Sequence, residues 1–154
     1  MMSKKAYNDR TDLEKLQSQW NKISGLLVRE EPSAAIMRCG TAAEIAANIA
    51  IRSAFDEESE FNAKTVDSFL IWANGLKGKM DHLVLPVCFN GNSKNATYKK
   101  LSAWARTVND ARNDVAHRGS FASKNKADEI IAAAKLFITT LVPLYEPDFE
   151  LKEK

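Results

Sequence analysis

The sequence predicts an all-α fold, a bundle of about four to five helices. Apolar residues recur at every third or fourth position through most of the chain, which is the periodicity of amphipathic helices. Proline, glycine and clusters of polar residues separate these stretches, as in short helix-to-helix connections. The only strand-like run, LVLPVCF at 83–89, contains a proline, which disfavours a place inside a sheet.

Five segments carry the helical periodicity, and local signals mark where several of them begin and end. A capping box from Thr11 to Glu14 starts the first segment. The second is rich in alanine, so other helices can approach it closely. Pro86 is expected to stop the third segment, and Gly119 lies where the fourth needs a C-cap glycine. The predicted helices span 11–28, 32–55, 65–85, 96–117 and 126–142.

Length and composition indicate a single globular domain over residues 1–154. Within it we expect a helical core at about 32–142, preceded by the helix at 11–28 and followed by a frayed tail at 146–154. The chain is 45% hydrophobic and 27% charged, as is usual for globular proteins. No stretch matches an apolar membrane span, and the N-terminus lacks the apolar core of a signal peptide. We therefore expect a cytoplasmic protein without membrane contact.

Residue types that bind metals or form disulfides are scarce. The only cysteines, Cys39 and Cys88, lie far apart in apolar surroundings and give no disulfide framework or zinc site. The only histidines, His82 and His117, are also well separated. We therefore expect no metal and no cofactor, and we interpret His82 as a helix-end or half-buried histidine rather than a catalytic one.

Positive charge is concentrated in one part of the chain. The net charge is only +2, but residues 94–126 contain eight basic and two acidic residues, a local charge of +6. Such a segment suits a polyanion such as RNA, or it is a solvated helical face whose lysines keep the protein soluble. The candidate RNA-binding residues are Lys99, Lys100, Arg106, Arg118 and Lys124.

The segment ARNDVAHRGS at 111–120 ends the fourth predicted helix with an arginine, an asparagine and a histidine. Histidine transfers protons near neutral pH, and arginine binds phosphate through two donors. Together Arg112, Asn113 and His117 could activate a 2′-hydroxyl of RNA and stabilise charge on the attacked phosphate without a metal. On one ideal helix, however, Arg112 and His117 point about 140° apart. They converge if His117 lies past the last turn, or if a second copy packs around a two-fold axis.

Each of these features also has a purely structural interpretation. His117 could simply favour the negative end of the helix dipole, while Arg112 covers the core with its aliphatic stem. Trp104 and Tyr98 could stack on bases, but aromatic residues at helical spacing more often belong to the core. Glu44, the acidic residue of the alanine-rich helix, could position Arg112 or face water.

The pattern RNDVAH at 112–117, at the end of a helix in an all-α chain, resembles the motif of the HEPN superfamily. That motif is an arginine, four residues and a histidine, with a polar residue after the arginine. The resemblance implies a metal-independent endoribonuclease of toxin–antitoxin, phage-defence or RNA-processing systems. It implies a homodimer whose two motifs line one cleft, with Arg112 and His117 catalytic and Asn113 in support. The 2′-hydroxyl would attack the neighbouring phosphodiester and leave 2′,3′-cyclic phosphate and 5′-hydroxyl ends.

One position departs from part of the family. Members paired with a nucleotidyltransferase antitoxin often carry a tyrosine two residues after the histidine, where this sequence has Gly119. Control by adenylylation of that tyrosine is therefore not expected, which leaves an antitoxin or inhibitor protein of another kind as the candidate partner. The alanine-rich helix and the motif helix are the expected dimer surfaces. Because some HEPN domains are non-catalytic, the alternative function is a helical binding or dimerisation module, or a regulator, that interacts with protein or nucleic acid.

Overall fold

The computed structural model describes residues 6–7, 10–58, 61–118 and 121–153, and within these ranges it contains helices and no strand. The all-α prediction is confirmed. The capping box is present, since the Thr11 hydroxyl accepts the Glu14 N–H and the Glu14 carboxylate accepts the Thr11 N–H, both at 3.1 Å. In chain order the elements are α1 (Asp12–Val28), α2 (Pro32–Glu58), α3 (Ala63–Trp72), α4 (Gly75–Lys79), a π-helical segment (Met80–Cys88), α5 (Ala96–Arg118), α6 (Lys124–Leu141) and a 3-10 turn (Val142–Leu144).

α2 runs through the middle of the bundle and contacts α1, α5, α6 and the π-helical segment. By length and composition α2 could also cross a membrane, but 61% of its most apolar window is buried inside the bundle. Its alanine-rich face, expected as a dimer surface, is instead occupied by packing within one chain, because small side chains let the neighbouring helices come close. The fully buried alanines of this face are Ala35, Ala42, Ala43, Ala46, Ala47, Ala50 and Ala54.

The third predicted helix is divided into three parts, so the prediction of one helix over 65–85 is wrong. α3 ends at Trp72, and Gly75 begins α4 with a positive φ of 81°, a conformation that glycine adopts without a Cβ clash. The π-helical segment then continues past Pro86 to Cys88. Proline disrupts an α-helix because its ring clashes with the carbonyl one turn earlier, whereas the wider π-helical turn accommodates the ring here. Pro86 therefore lies inside this helix rather than at its end.

The described part of the C-terminal tail, 146–153, packs against α1 and α6, so the expectation of a frayed segment at 146–154 is wrong for these residues. Gln17 of α1 donates Nε2 to the carbonyl oxygen of Lys152 at 2.8 Å and accepts its N–H at 2.9 Å. Lys135 of α6 forms an ion pair with Glu153 at 2.8 Å, and its hydrogen bond lowers the pKa of that carboxyl group. The tail therefore closes one side of the bundle through specific polar contacts.

Candidate functional site

α5 presents the motif at 112–117 at its C-terminal end. One stripe of the helix is buried against its neighbours and fixes its rotation. Tyr98, with 6% of its surface exposed, belongs to that stripe, and Trp104 packs partly buried against the core. Both aromatic residues are therefore core residues rather than free stacking platforms for bases. Gly119, the predicted C-cap, lies outside the described residues. The buried stripe of α5 is Tyr98, Leu101, Ala105, Val108 and Ala111.

Arg112 lies between α5 and α2 and is partly buried, with 30% of its side chain exposed. Its aliphatic stem crosses Gly40 of α2 so closely that a Cβ atom at Gly40 would lie 2.5 Å from Arg112 Cδ. Its Nη1 atom lies 3.8 Å from Oε1 of Glu44, whose side chain is 24% exposed. Of the two expectations for Glu44, the structure therefore supports the one that places it against Arg112. The fold of a single chain determines where this guanidinium group lies.

His117 lies on a different side of α5 and is exposed to solvent, as is Asn113 one turn earlier. Residues separated by whole helical turns share a face, and by this spacing the same face carries Lys99 and Arg106, both exposed. We call these four residues the basic face of α5. Arg112 lies about 140° around the helix from His117. One protomer alone therefore does not bring the two principal motif residues into one site.

Two of the other predicted RNA-binding residues, Lys100 and Lys124, do not join the basic face. Lys100 is exposed, but as the neighbour of Lys99 it lies about 100° around the helix. Lys124 begins α6 and forms an ion pair with Asp128 at 3.2 Å. Arg118 is the last residue of α5, and its side chain lies outside the described residues. The structure thus places Lys99 and Arg106, but not Lys100 or Lys124, on the same face as His117.

Sequence reasoning missed a polar row that runs along α2 behind Arg112. Glu44, Asn48 and Arg52 follow one another at intervals of four residues. Lys79 of α4 lines the same groove as Asn48 and Arg52, with only 4% of its surface exposed. Burial lowers the pKa of the Lys79 ammonium group, Glu44 opposes this shift, and the positive charges of Arg112 and Arg52 add to it. Glu44 therefore balances two cations. Polar residues at helical spacing on an otherwise apolar helix are the sequence signal for this row.

His82 and the two cysteine thiols make ordinary structural contacts. His82 is exposed, and its ring lies 5.8 Å from the ring of Trp72. Burial raises the pKa of the Cys39 thiol to about 12, while the half-buried Cys88 donates its thiol to a backbone carbonyl at 3.8 Å. In the part of the chain that the structure describes, no group of three or more His, Cys, Asp or Glu residues could hold a metal ion.

Comparison with protein-family models, with curated proteins and with solved structures gives no match. The relation to the HEPN superfamily accordingly stays a prediction from the six-residue motif.

Proposed function

We propose that this protein is a metal-independent endoribonuclease of the HEPN type that acts as a homodimer. The observation that carries the proposal is the contrast between the two ends of the motif. The imidazole of His117 is exposed on the basic face of α5, while Glu44 and Gly40 hold Arg112 in one orientation. An accessible base and a preoriented phosphate-binding cation are the two groups that RNA transesterification needs. The proposed setting is a cytoplasmic toxin–antitoxin or phage-defence system, with an antitoxin or inhibitor protein as a partner.

The chemistry follows from these side chains. The His117 imidazole takes the proton of an RNA 2′-hydroxyl, and the 2′-oxygen attacks the adjacent phosphorus. The guanidinium group of Arg112 donates two hydrogen bonds to the phosphate oxygens, where negative charge increases in the transition state. The bond from phosphorus to the 5′-oxygen breaks, and an imidazolium group is the acid that returns a proton to this oxygen. The products are a 2′,3′-cyclic phosphate and a 5′-hydroxyl end.

A second copy of the chain supplies the convergence that one protomer lacks. Around a two-fold axis near the end of α5, the Arg112 of each protomer approaches the partner's His117. The arrangement uses surfaces that single-chain packing leaves accessible, since Asn113 and His117 are exposed and the guanidinium edge of Arg112 is partly so. Lys99 and Arg106 extend the same face along α5, where the backbone of a bound RNA strand would lie.

The test is a cleavage assay on total cellular RNA in excess EDTA, with the wild type, His117→Ala and His82→Ala side by side. His82 is the matched control because it is also an exposed histidine but lies outside the motif. We expect the wild type and His82→Ala to produce 2′,3′-cyclic phosphate ends and His117→Ala to produce none above background. Equal cleavage by His117→Ala and wild type would refute the assignment of His117.

A second candidate function is a non-catalytic module that binds nucleic acid through the basic face of α5. The separation of Arg112 from His117 within one protomer is the observation that favours it. Such a module would bind RNA and DNA alike, lose affinity with salt and cut neither. Its binding would depend on Lys99 and Arg106 and not on His117. Cyclic phosphate ends in the cleavage assay exclude it.

A further inference from the structure

A second positively charged surface lies away from α5, in a groove between α1 and the start of α2. The groove has a volume of about 550 Å³, within the range of small-molecule sites. Among the described residues that line it there are four cations and no acid. The neutral polar side chains Ser18 and Asn21 add hydrogen-bonding groups, and Gly25 leaves space, because a Cβ atom there would meet nothing within 4 Å. The cationic lining residues are Arg10, Lys22, Arg29 and Arg38.

Neutral partners orient two of these guanidinium groups. Arg38 donates Nη1 to Oε1 of Gln19 at 2.7 Å, and Gln19 is itself buried and donates Nε2 to the Tyr7 hydroxyl at 3.0 Å. Arg10 donates Nη1 to the Ser18 hydroxyl at 2.9 Å. Since the amide of Gln19 carries no charge, its bond fixes the direction of the Arg38 guanidinium group without neutralising it. The groove therefore keeps the positive charge of Arg38 in a fixed direction.

The other two cationic residues of the groove are Lys22 and Arg29. Lys22 is exposed on α1, and Arg29 at the end of α1 pairs with Glu31 at 3.2 Å at the exposed edge. Like charges gathered in a concave surface repel one another, and a bound anion removes that repulsion. Arginine matches phosphate oxygens through two parallel donors. The groove thus offers several oriented donors to more than one phosphate group.

We propose that the α1–α2 groove binds a ligand with closely spaced phosphate groups, either a free polyphosphate or the backbone of a single RNA strand. Arg38 is the central residue of the site, since Gln19 presets its geometry. The proposal is independent of the proposed endoribonuclease function, because none of its residues belongs to the motif or to the basic face of α5.

The experiment is a calorimetric titration with inorganic tripolyphosphate at low, constant ionic strength. The wild type is compared with Arg38→Gln, Lys22→Gln and Lys64→Gln. Lys64 is the matched control because it is an exposed lysine on α3, outside the groove. We expect one saturable site in the wild type and in Lys64→Gln, and an affinity about tenfold weaker in Arg38→Gln. No saturable binding by the wild type, or equal binding by the Arg38 and Lys64 variants, would overturn the proposal.

Arg38→Gln removes a bond to the buried Gln19 and could therefore affect folding as well as binding. Lys22→Gln leaves that bond intact and so tests binding separately from folding. It should retain the wild-type melting temperature and still bind tripolyphosphate more weakly. Competition with a short single-stranded RNA in the His117→Ala background then identifies the source of the phosphates. Displacement of tripolyphosphate assigns the groove to the RNA backbone, and simultaneous binding assigns it to a separate phosphate ligand. If the wild type binds tripolyphosphate but does not cleave RNA, the result contradicts the endoribonuclease proposal and leaves the groove proposal intact.

Discussion

Arg112 and His117 belong to one short motif but lie in different physical environments. Arg112 crosses Gly40, faces Glu44 and is partly buried between two helices. His117 is exposed one and a half turns later on the same helix. The comparison teaches that the fold of one chain determines the position of the arginine but leaves the histidine exposed to solvent. Under the proposed function, the surroundings of the histidine would come from a second copy or from the substrate.

The largest expected effect is the loss of RNA cleavage when either Arg112 or His117 is removed, and its recovery when the two variants are assembled together. Arg112→Ala and His117→Ala should each reduce cleavage by about 10²- to 10⁴-fold, since each removes a group that acts in the transition state. Co-assembly of the two inactive variants should restore about a quarter of the wild-type rate, because half of the dimers then hold one complete composite site. The measurement is the rate of cyclic phosphate formation, with each variant assembled with itself as control. A mixture no more active than its components would mean that the site is not shared.

A single added methyl group tests the anchored half of the motif. Gly40→Ala places a Cβ atom within 2.5 Å of Arg112 Cδ and must displace that side chain. We expect cleavage to fall about tenfold, as for other small displacements of catalytic groups. Gly78→Ala is the matched control, because its Cβ atom would meet no atom closer than 3.6 Å, an ordinary contact distance. It should keep full activity and gain up to about 1 kcal/mol of unfolding free energy from better helix propensity. Wild-type cleavage by Gly40→Ala would show that the position of Arg112 is unimportant.

The sequence predicted more of the fold than of the site, for physical reasons visible in particular residues. Helix periodicity and the capping box located α1, α2, α5 and α6, because these signals are local. The break at Gly75 and the docked tail at 146–153 depend on contacts between distant segments. Within the site, position and spacing were enough to predict Arg112 and His117 as candidate residues. Their different surroundings arise from tertiary packing against α2, which no local pattern encodes.

The polar row behind Arg112 predicts a coupling between two substitutions. Glu44→Gln should lower the free energy of unfolding by about 1–2 kcal/mol, because Lys79 and Arg112 lose their shared counter-charge. Lys79→Met should be neutral or stabilising, since a buried charge is replaced by an apolar side chain of similar length. Urea unfolding of both single variants and the double variant measures the coupling. A double variant that equals the sum of the two within about 0.3 kcal/mol would exclude it.

Lys79 should also make a smaller contribution to the change of the free energy of unfolding with pH. Burial lowers the pKa of Lys79 below its usual 10.5 in the folded protein. In the window below 10.5 the unfolded chain therefore binds more protons, and stability rises with pH. Lys79→Met should lose this rise in urea unfolding as the pH approaches 10.5 from below. Lys77→Met is the control, because its hydrogen bond to Asp81 raises the pKa of Lys77, so its contribution changes only above 10.5. Identical slopes in wild type and Lys79→Met would contradict the burial of a charged amine.

The smallest expected effect is the one that most directly separates the two motif residues. His117→Ala should change the free energy of unfolding by less than about 0.5 kcal/mol, as for exposed residues without specific packing. Arg112→Ala should cost about 1–2 kcal/mol, because the stem over Gly40 and the counter-charge for Glu44 are both lost. Urea unfolding at several protein concentrations measures both and reveals any contribution from dimerisation. Equal losses in the two variants would mean that His117 is also anchored within its own chain, and a site completed by a second copy would then have no structural basis.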